Sequence, residues 1–200
     1  GVKCRLWVLD NASTDTTARL LKWFKMNTKW YVPWARHRGV KIKCYSSNTN
    51  LGFAGGNNYL ATRGRAPWIL FINNDVFPEK PDWLRILLDE ARNHDYAAIG
   101  PCTDRVLGLQ DQKWSVRGGW PPVHRAKFLS GFCILVRRDL FMGLKGWDTE
   151  FFNGDEDLDL SIRLRKAHHG LGIVRDVFVQ HLCSQSMLPW AQAGGFTLED

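Results

Sequence analysis

Short apolar runs alternate along this chain with longer stretches in which apolar residues recur every three or four positions. The pattern predicts strands over residues 5–9, 40–45, 68–72, 97–101, 128–136 and 173–179, and helices over 16–29, 81–93 and 156–168. Ser13, Thr14 and Asp15 suit the N-terminus of the first helix, because their side-chain oxygens accept from the unpaired N–H groups there. A Gly- and Asn-rich loop over 48–58 leads into a short helix that ends near Gly64. Alternation of this kind points to an α/β fold, a mostly parallel sheet flanked by helices. Residues 103–126 keep no such period and are rich in Gly, Trp and Pro, as expected of a mobile lid or acceptor loop. In the last helix Leu160, Leu164 and Ala167 share one side and Leu158, Ser161, Ile162 and Arg165 another. Asp159 and Arg163 are spaced for an exposed ion pair.

Composition narrows this picture. Two hundred residues, 44% of them hydrophobic, suffice for one buried core, and no linker-like stretch divides them. A single domain over 1–200 is expected, with 182–200 as its tail. No window holds the roughly 18 consecutive apolar residues of a membrane span, and no signal peptide is visible, so a soluble, cytoplasmic protein is expected. The net charge of +7 favours anionic partners such as nucleotides, phosphates or acidic lipid surfaces, and leaves peripheral contact with the inner face of a membrane open. The basic residues are dispersed and no aromatic-basic motif appears, which argues against nucleic acid. Arg36-His37-Arg38, Arg63-Gly64-Arg65 and Arg137-Arg138 are most simply solvated charges. Cys4, Cys44, Cys102, Cys133 and Cys183 are scattered and odd in number, the pattern of reduced thiols rather than of a disulfide framework or a zinc site.

The candidate chemistry is acidic. Asp155, Glu156, Asp157 and Asp159 crowd onto the start of the last helix, directly after Phe151 and Phe152. Like charges so close are costly on a structural surface, whereas an active site can use one as a proton acceptor. A second acidic signature, Asn73-Asn74-Asp75, ends an apolar run, where an α/β sheet places a metal or phosphate ligand. Together they suggest chemistry on a phosphorylated substrate.

Read in order, Leu9-Asp10-Asn11-Ala12-Ser13-Thr14-Asp15, Asn50-Leu51-Gly52-Phe53-Ala54-Gly55-Gly56-Asn57-Asn58, Ile72-Asn73-Asn74-Asp75-Val76, Ser130-Gly131-Phe132, Gly146-Trp147-Asp148 through Arg163, and 181–186 resemble the family 2 inverting glycosyltransferases of the GT-A fold. The nearest likeness is to the rhamnosyltransferase-like branch that decorates bacterial polysaccharides. The resemblance implies transfer of a sugar, by a hexosyltransferase, from a nucleotide-diphosphate sugar to a hydroxyl of a glycan or lipid-linked acceptor. It implies Asp157 as general base, with Glu156 orienting the base or the acceptor. It implies Asp10 at the nucleotide base, with Asn73, Asn74, Gly55 and Gly56 also toward the donor. Helix capping or a tight turn is the competing explanation for Asp10 and for the glycines. Asp75 stands at the family's Asp-x-Asp metal motif, where Asn73 removes one charge, and would hold Mn²⁺ or Mg²⁺. His181 is either a second metal contact, which suits Mn²⁺, or a structural histidine. Trp147, Asp148 and Gly131 fall where acceptor or sugar would lie, and Trp147 suits a core equally well.

One departure matters. The family's first strand has no counterpart, since residues 5–9 resemble its second. That strand lies centrally in the family's sheet, between those at 5–9 and 68–72, so unpaired edges are expected there unless the sequence is a fragment, the two pair directly, or another segment or chain fills the slot. Weakened donor binding is the expected result. Two rivals to a transferase are a nucleotidyltransferase, whose glycine-rich basic loop is missing here, and a truncated GT-A relic serving as a binding or scaffold module.

Overall fold

The computed structural model describes residues 2–31, 41–106, 110–111, 121–151 and 154–182, with the backbone alone for 27–31. Along the chain run β1 (Arg5–Asn11), α1 (Thr17–Tyr31), β2 (Lys41–Ser47), α2 (Gly52–Ala61), β3 (Trp68–Ile72), β4 (Val76–Pro78), α3 (Trp83–Asn93), β5 (Tyr96–Thr103), β6 (Val123–Ala126), β7 (Cys133–Arg137), α4 (Arg138–Gly143), α5 (Glu156–Lys166) and β8 (Gly170–His181). Every element expected from the periodicity is present. The additions are β4, β6 and α4, all too short to show a period. β7 begins later than expected because 128–132 is a buried turn: Leu129 and Phe132 are apolar for packing rather than for pairing.

The chain divides into two compact units, one of residues 1–69 and 136–169, the other of 70–135 and 170–200. In the first, β1 and β2 pair in parallel from Arg5↔Lys41 to Asn11↔Ser47. Helix α1 starts where the Asp15 carboxylate accepts the Thr17 N–H at 2.9 Å. Helix α2 is rich in small residues, and its buried positions are Gly52, Ala54, Gly56 and Ala61. A Cβ at Gly56 would lie 3.3 Å from Leu9 Cδ2, so glycine is what lets the helix lie this close to β1. Arg138 closes the other end of α2. Its guanidinium donates to the carbonyls of Ala61 at 2.7 Å and Ala66 at 2.6 Å, and burial pushes its pKa down. That corrects the solvated role expected of Arg138. Phe141, Trp147, Leu160 and Leu164 are buried in this unit.

The second unit is built on a six-stranded sheet ordered β3-β7-β5-β8-β4, with β6 also pairing β8; the division between units falls within β3 and β7. The sheet is mixed, since β8 runs parallel to β5 and antiparallel to β4 and β6. Residues 97–103 of β5 are all buried, as befits a central strand covered on both faces. Helix α3 buries Leu87 and Ala91. The thiols of Cys102 and Cys133 are fully buried, and burial drives that of Cys133 far above its ordinary range. The four described cysteines are unbridged, as expected; Cys183 lies outside the described residues.

Among the described residues β1 bonds to β2 alone and β3 to β7 alone, so the two strands neither pair directly nor share a neighbour.

Candidate functional site

In the second unit, β3 ends at Ile72 and the chain turns through Asn73, Asn74 and Asp75 into β4. The Asn73 N–H donates to the Phe132 carbonyl at 2.9 Å, which fixes the start of the turn. The β4–β8 register sets Val76 opposite His181, and the Leu182 N–H donates to the Asp75 carbonyl at 3.1 Å. Asp75 and His181 thus meet through a local antiparallel ladder, although 106 positions of sequence separate them in number alone. Asp75 Oδ1 and His181 Nε2 are 3.5 Å apart, long for a hydrogen bond, and the side chains are 12% and 11% exposed. The His181 ring stacks on Phe132, with centroids 4.9 Å apart and planes 22° apart. Its backbone N–H donates to Asp104 Oδ1 at 3.3 Å.

Asp75 Oδ1 is buried and accepts no hydrogen bond. A buried acceptor left unmade costs about 1–3 kcal/mol, more when charged, and a bound cation removes that cost. A carboxylate oxygen beside an imidazole nitrogen is also a donor set suited to a transition-metal dication. The pair fits two ligands of a divalent cation; the described residues contain no cluster of three or more acidic, His or Cys ligands. Asn73 is half-buried and Asn74 exposed beside this turn, and Gly131 is buried at the turn before β7.

In the first unit, Asp10 ends β1 with its side chain buried. Its Oδ1 accepts the Ser13 N–H at 3.0 Å across a tight turn in which Ala12 adopts φ +62°. Asn11 ties the glycine-rich loop to the strand: it donates to Asn50 Oδ1 at 2.9 Å and to the Gly52 carbonyl at 3.2 Å, and accepts the Leu51 N–H at 2.9 Å. Gly55 and Gly56, expected toward the donor, lie within α2, where a Cβ at Gly56 would meet Leu9 of β1 and one at Gly55 the Leu51 Cβ of the preceding turn.

Asn58 acts at longer range. Its Nδ2 donates to the Trp147 carbonyl at 2.8 Å, and its Oδ1 accepts the Trp147 N–H at 2.9 Å. Gly146 precedes with φ +78°, where a Cβ would sit 2.4 Å from Asn58 Oδ1. Trp147 is 2% exposed, edge-on to Phe53 and Phe141 at 5.4 and 5.9 Å. It is a core residue, which corrects its expected place against a sugar: an indole enclosed on both faces has no surface to stack on one. Asp148 Oδ1 accepts the Glu150 N–H at 3.0 Å and makes the next turn.

The acidic cluster follows. Phe151 is exposed at its edge, and Phe152 and Asn153 lie outside the described residues. Gly154 and Asp155 both take positive φ, 120° and 65°. This brings Glu156 Oε2 to within 2.7 Å of the Gly154 N–H, so Glu156 rather than Asp155 supplies the side-chain bond at the start of α5. Glu156 is 8% exposed, and burial raises its pKa, aided by the Asp157 and Asp155 charges and opposed by its backbone hydrogen bonds. Asp157 is half-buried in the first turn, where the helix dipole favours a carboxylate. Asp159 pairs with Arg163 at 2.7 Å, and Arg163 also donates to the Leu144 carbonyl at 2.8 Å. That pair is about three-quarters enclosed rather than exposed, because Arg163 serves as a strut to the end of α4.

Sequence reasoning missed the reach of Asn58, the Phe132 ring behind His181 and the Asp104 contact. The twin asparagines after the glycine-rich loop were the one visible signal, since amides there have backbone to clamp.

Residues 2–144 match the model of glycosyl transferase family 2. The chain belongs to that family. This family 2 chain is 27% identical over 198 residues to the N-acetylglucosaminyl-diphospho-decaprenol L-rhamnosyltransferase of Mycobacterium tuberculosis, across 79% of its own length and 60% of that protein's. It is 26% identical over 140 residues to the O-antigen biosynthesis protein RfbC of Myxococcus xanthus, across 59% of its length and 11% of that protein's. The fold is that of GT-A glycosyltransferases. The mannosyltransferase PcManGT of Pyrobaculum calidifontis, solved with GDP-Man and Mn²⁺, superposes with a TM-score of 0.68 at 16% identity, over 93% of this chain and 50% of that one. GalNAc-T7, solved with UDP, GalNAc and Mn²⁺, gives 0.67 at 14% identity, over 88% and 37%. The family 2 chain thus spans less than two thirds of each of these relatives.

Proposed function

We propose that this family 2 chain carries out inverting transfer of a sugar from a nucleoside-diphosphate sugar to a hydroxyl of a glycan or lipid-linked acceptor, in the synthesis of a bacterial surface polysaccharide. The observation that carries the proposal is the Asp75–His181 pair: a buried carboxylate oxygen without a donor, beside an imidazole, in the turn where the sequence resembles the family's acidic motif.

Asp75 and His181 are assigned to a divalent cation, Mn²⁺ before Mg²⁺ because an imidazole is among the donors. When bound, such a cation supplies Lewis-acid stabilisation of the charge that develops on the departing diphosphate. Asn73 and Asn74 are assigned to the donor beside it. Asp10 accepts an N–H of the nucleotide base through the oxygen that Ser13 does not use. Asp157 is the general base. As the acceptor oxygen bonds to the anomeric carbon, the bond from that carbon to the diphosphate breaks on the opposite face. The hydroxyl proton passes to the Asp157 carboxylate, and the configuration inverts. Glu156, committed to the Gly154 N–H, holds the turn from which Asp157 projects. Asp148 and Gly131 are assigned to the acceptor side.

No helix among the described residues is long and apolar enough to cross a membrane. The site of action is assigned to the cytoplasm, at the inner membrane face where a lipid-linked acceptor presents its head group.

The test is a panel of nucleotide sugars with and without Mn²⁺, with calorimetric binding and product analysis. Free nucleoside diphosphate supports the proposal; inorganic pyrophosphate identifies a nucleotidyltransferase, and no donor binding identifies a relic. Asp157→Asn is expected to lower turnover by about 10²–10⁴-fold while sparing donor affinity.

A further inference from the structure

We propose that Gln110 is a positioning residue for the Asp75–His181 pair: a buried amide that pins the turn at 130–132 to β5 and so sets the Phe132 ring on which His181 lies. The proposal rests on the metal role assigned to that pair. All of the residues involved belong to the second unit.

Gln110 is 3% exposed. Its Nε2 donates to the Pro101 carbonyl at 3.0 Å, and its Oε1 accepts the Ser130 N–H at 2.6 Å. Its own carbonyl accepts the Thr103 N–H at 2.9 Å, and Asp111 bridges to Thr103. The side chain is also provided for by its neighbour. A Cβ at Gly100 would stand 2.7 Å from Gln110 Nε2 and 3.1 Å from the Cys133 carbonyl, so glycine at this point of β5 leaves the amide room in its present position. An apolar side chain would fill the space without the cost of desolvating an amide. What glutamine adds is direction, because its two ends fix the Ser130 N–H relative to Pro101.

From Ser130 the chain needs only two residues to reach Phe132, which touches both members of the pair's surroundings. The Phe132 carbonyl accepts the Asn73 N–H at 2.9 Å at the head of the Asp75 turn, and the Phe132 ring stacks on His181. Phe132 is otherwise clamped among Val76, Cys133 and Val179. Releasing Ser130 therefore loosens the backbone two residues before Phe132. Partners that orient metal ligands commonly change affinity by about 10–100-fold when lost.

Three variants of the full chain test this: Gln110→Met, which keeps the volume and loses both side-chain hydrogen bonds; Gly100→Ala, which crowds the amide and, less closely, the Cys133 carbonyl; and Ala91→Gly, which weakens α3. The readouts are Mn²⁺ binding by calorimetry without donor, hydrogen exchange at residues 130–132, and the imidazole resonances of His181. Gln110→Met is expected to speed exchange at Ser130, shift His181 and weaken Mn²⁺ binding about tenfold, the low end for a supporting residue. Gly100→Ala should do the same to a smaller degree, and Ala91→Gly should leave Mn²⁺ affinity unchanged. Faster exchange at Ser130 with unaltered Mn²⁺ affinity overturns the proposal, as does an equal loss in Ala91→Gly. Should Gln110→Met fail to fold, Gln110→Leu, which also loses both side-chain hydrogen bonds, carries the decision, because a Cβ at Gly100 would also press on the Cys133 carbonyl at 3.1 Å. Absence of Mn²⁺ binding by the unaltered chain overturns the metal assignment itself and this proposal with it, a result that involves no change at Gln110.

Discussion

The asparagines of the first unit and the aspartate of the second treat buried polarity in opposite ways. Asn58 spends its amide on both backbone groups of Trp147, and Asn11 satisfies three partners along the glycine-rich loop. Asp75 leaves a buried oxygen with no donor, 3.5 Å from an imidazole that its neighbours already hold in place. An amide with both its nitrogen and its oxygen engaged by backbone specifies a fold. An unsaturated carboxylate is a cost to the fold that only a ligand repays, which is why two polar motifs of similar look in sequence are assigned to different tasks.

The sharpest way to break this contrast is at Asp75. Asp75→Asn keeps the shape and removes the charge. Transfer and Mn²⁺ binding should both fall by more than about 100-fold, beyond what losing a supporting partner costs. Without metal the thermal midpoint should stay level or rise, because the orphaned charge is gone. A fall in metal-free stability like that of a core substitution would mean that Asp75 is structural and that the contrast is empty.

Asn58→Ala probes the other arm. It strands the N–H and carbonyl of a fully buried residue, so a loss of about 2–3 kcal/mol is expected in a denaturant titration. Mn²⁺ affinity should not change. A loss confined to activity, with stability intact, would move Asn58 out of the scaffold and into the site.

Periodicity made the helices and strands legible because each depends on neighbours a few residues away. The clamps depend on distance instead. Asn58 meets Trp147 across 89 positions, and Arg138 meets the Ala61 carbonyl across 77, so neither a basic pair nor a twin asparagine announces its partner. An isolated Trp beside Gly and Asp is equally at home in a core or against a sugar, and only the rings of Phe53 and Phe141 decide for the core. Asp75 and His181 were legible as residue types at strand ends. Their meeting was not, since it depends on β4, a strand of three residues that leaves no period. The acidic cluster was legible as charge, but its division of labour was not. Positive φ at Gly154 and Asp155 accompanies a buried Glu156 followed by a half-buried Asp157.

Glu156 stands between the two cases, with one partner and a buried carboxylate, and it gives the smallest expected effect. Burial raises its pKa in the folded protein, so between the ordinary glutamate value and the raised one the folded state binds more protons than the unfolded chain. Stability from this group is full below the unfolded value and is lost as pH rises through the folded one. Glu156→Gln can still accept the Gly154 N–H but cannot ionise, so its stability should lack that decline. The midpoints of the two proteins in denaturant should agree at the acidic end of the window and separate above it, the variant being the more stable. A difference that stays constant across pH would show that the Gly154 hydrogen bond offsets burial in full, and would place Glu156 with the scaffold asparagines rather than with Asp75.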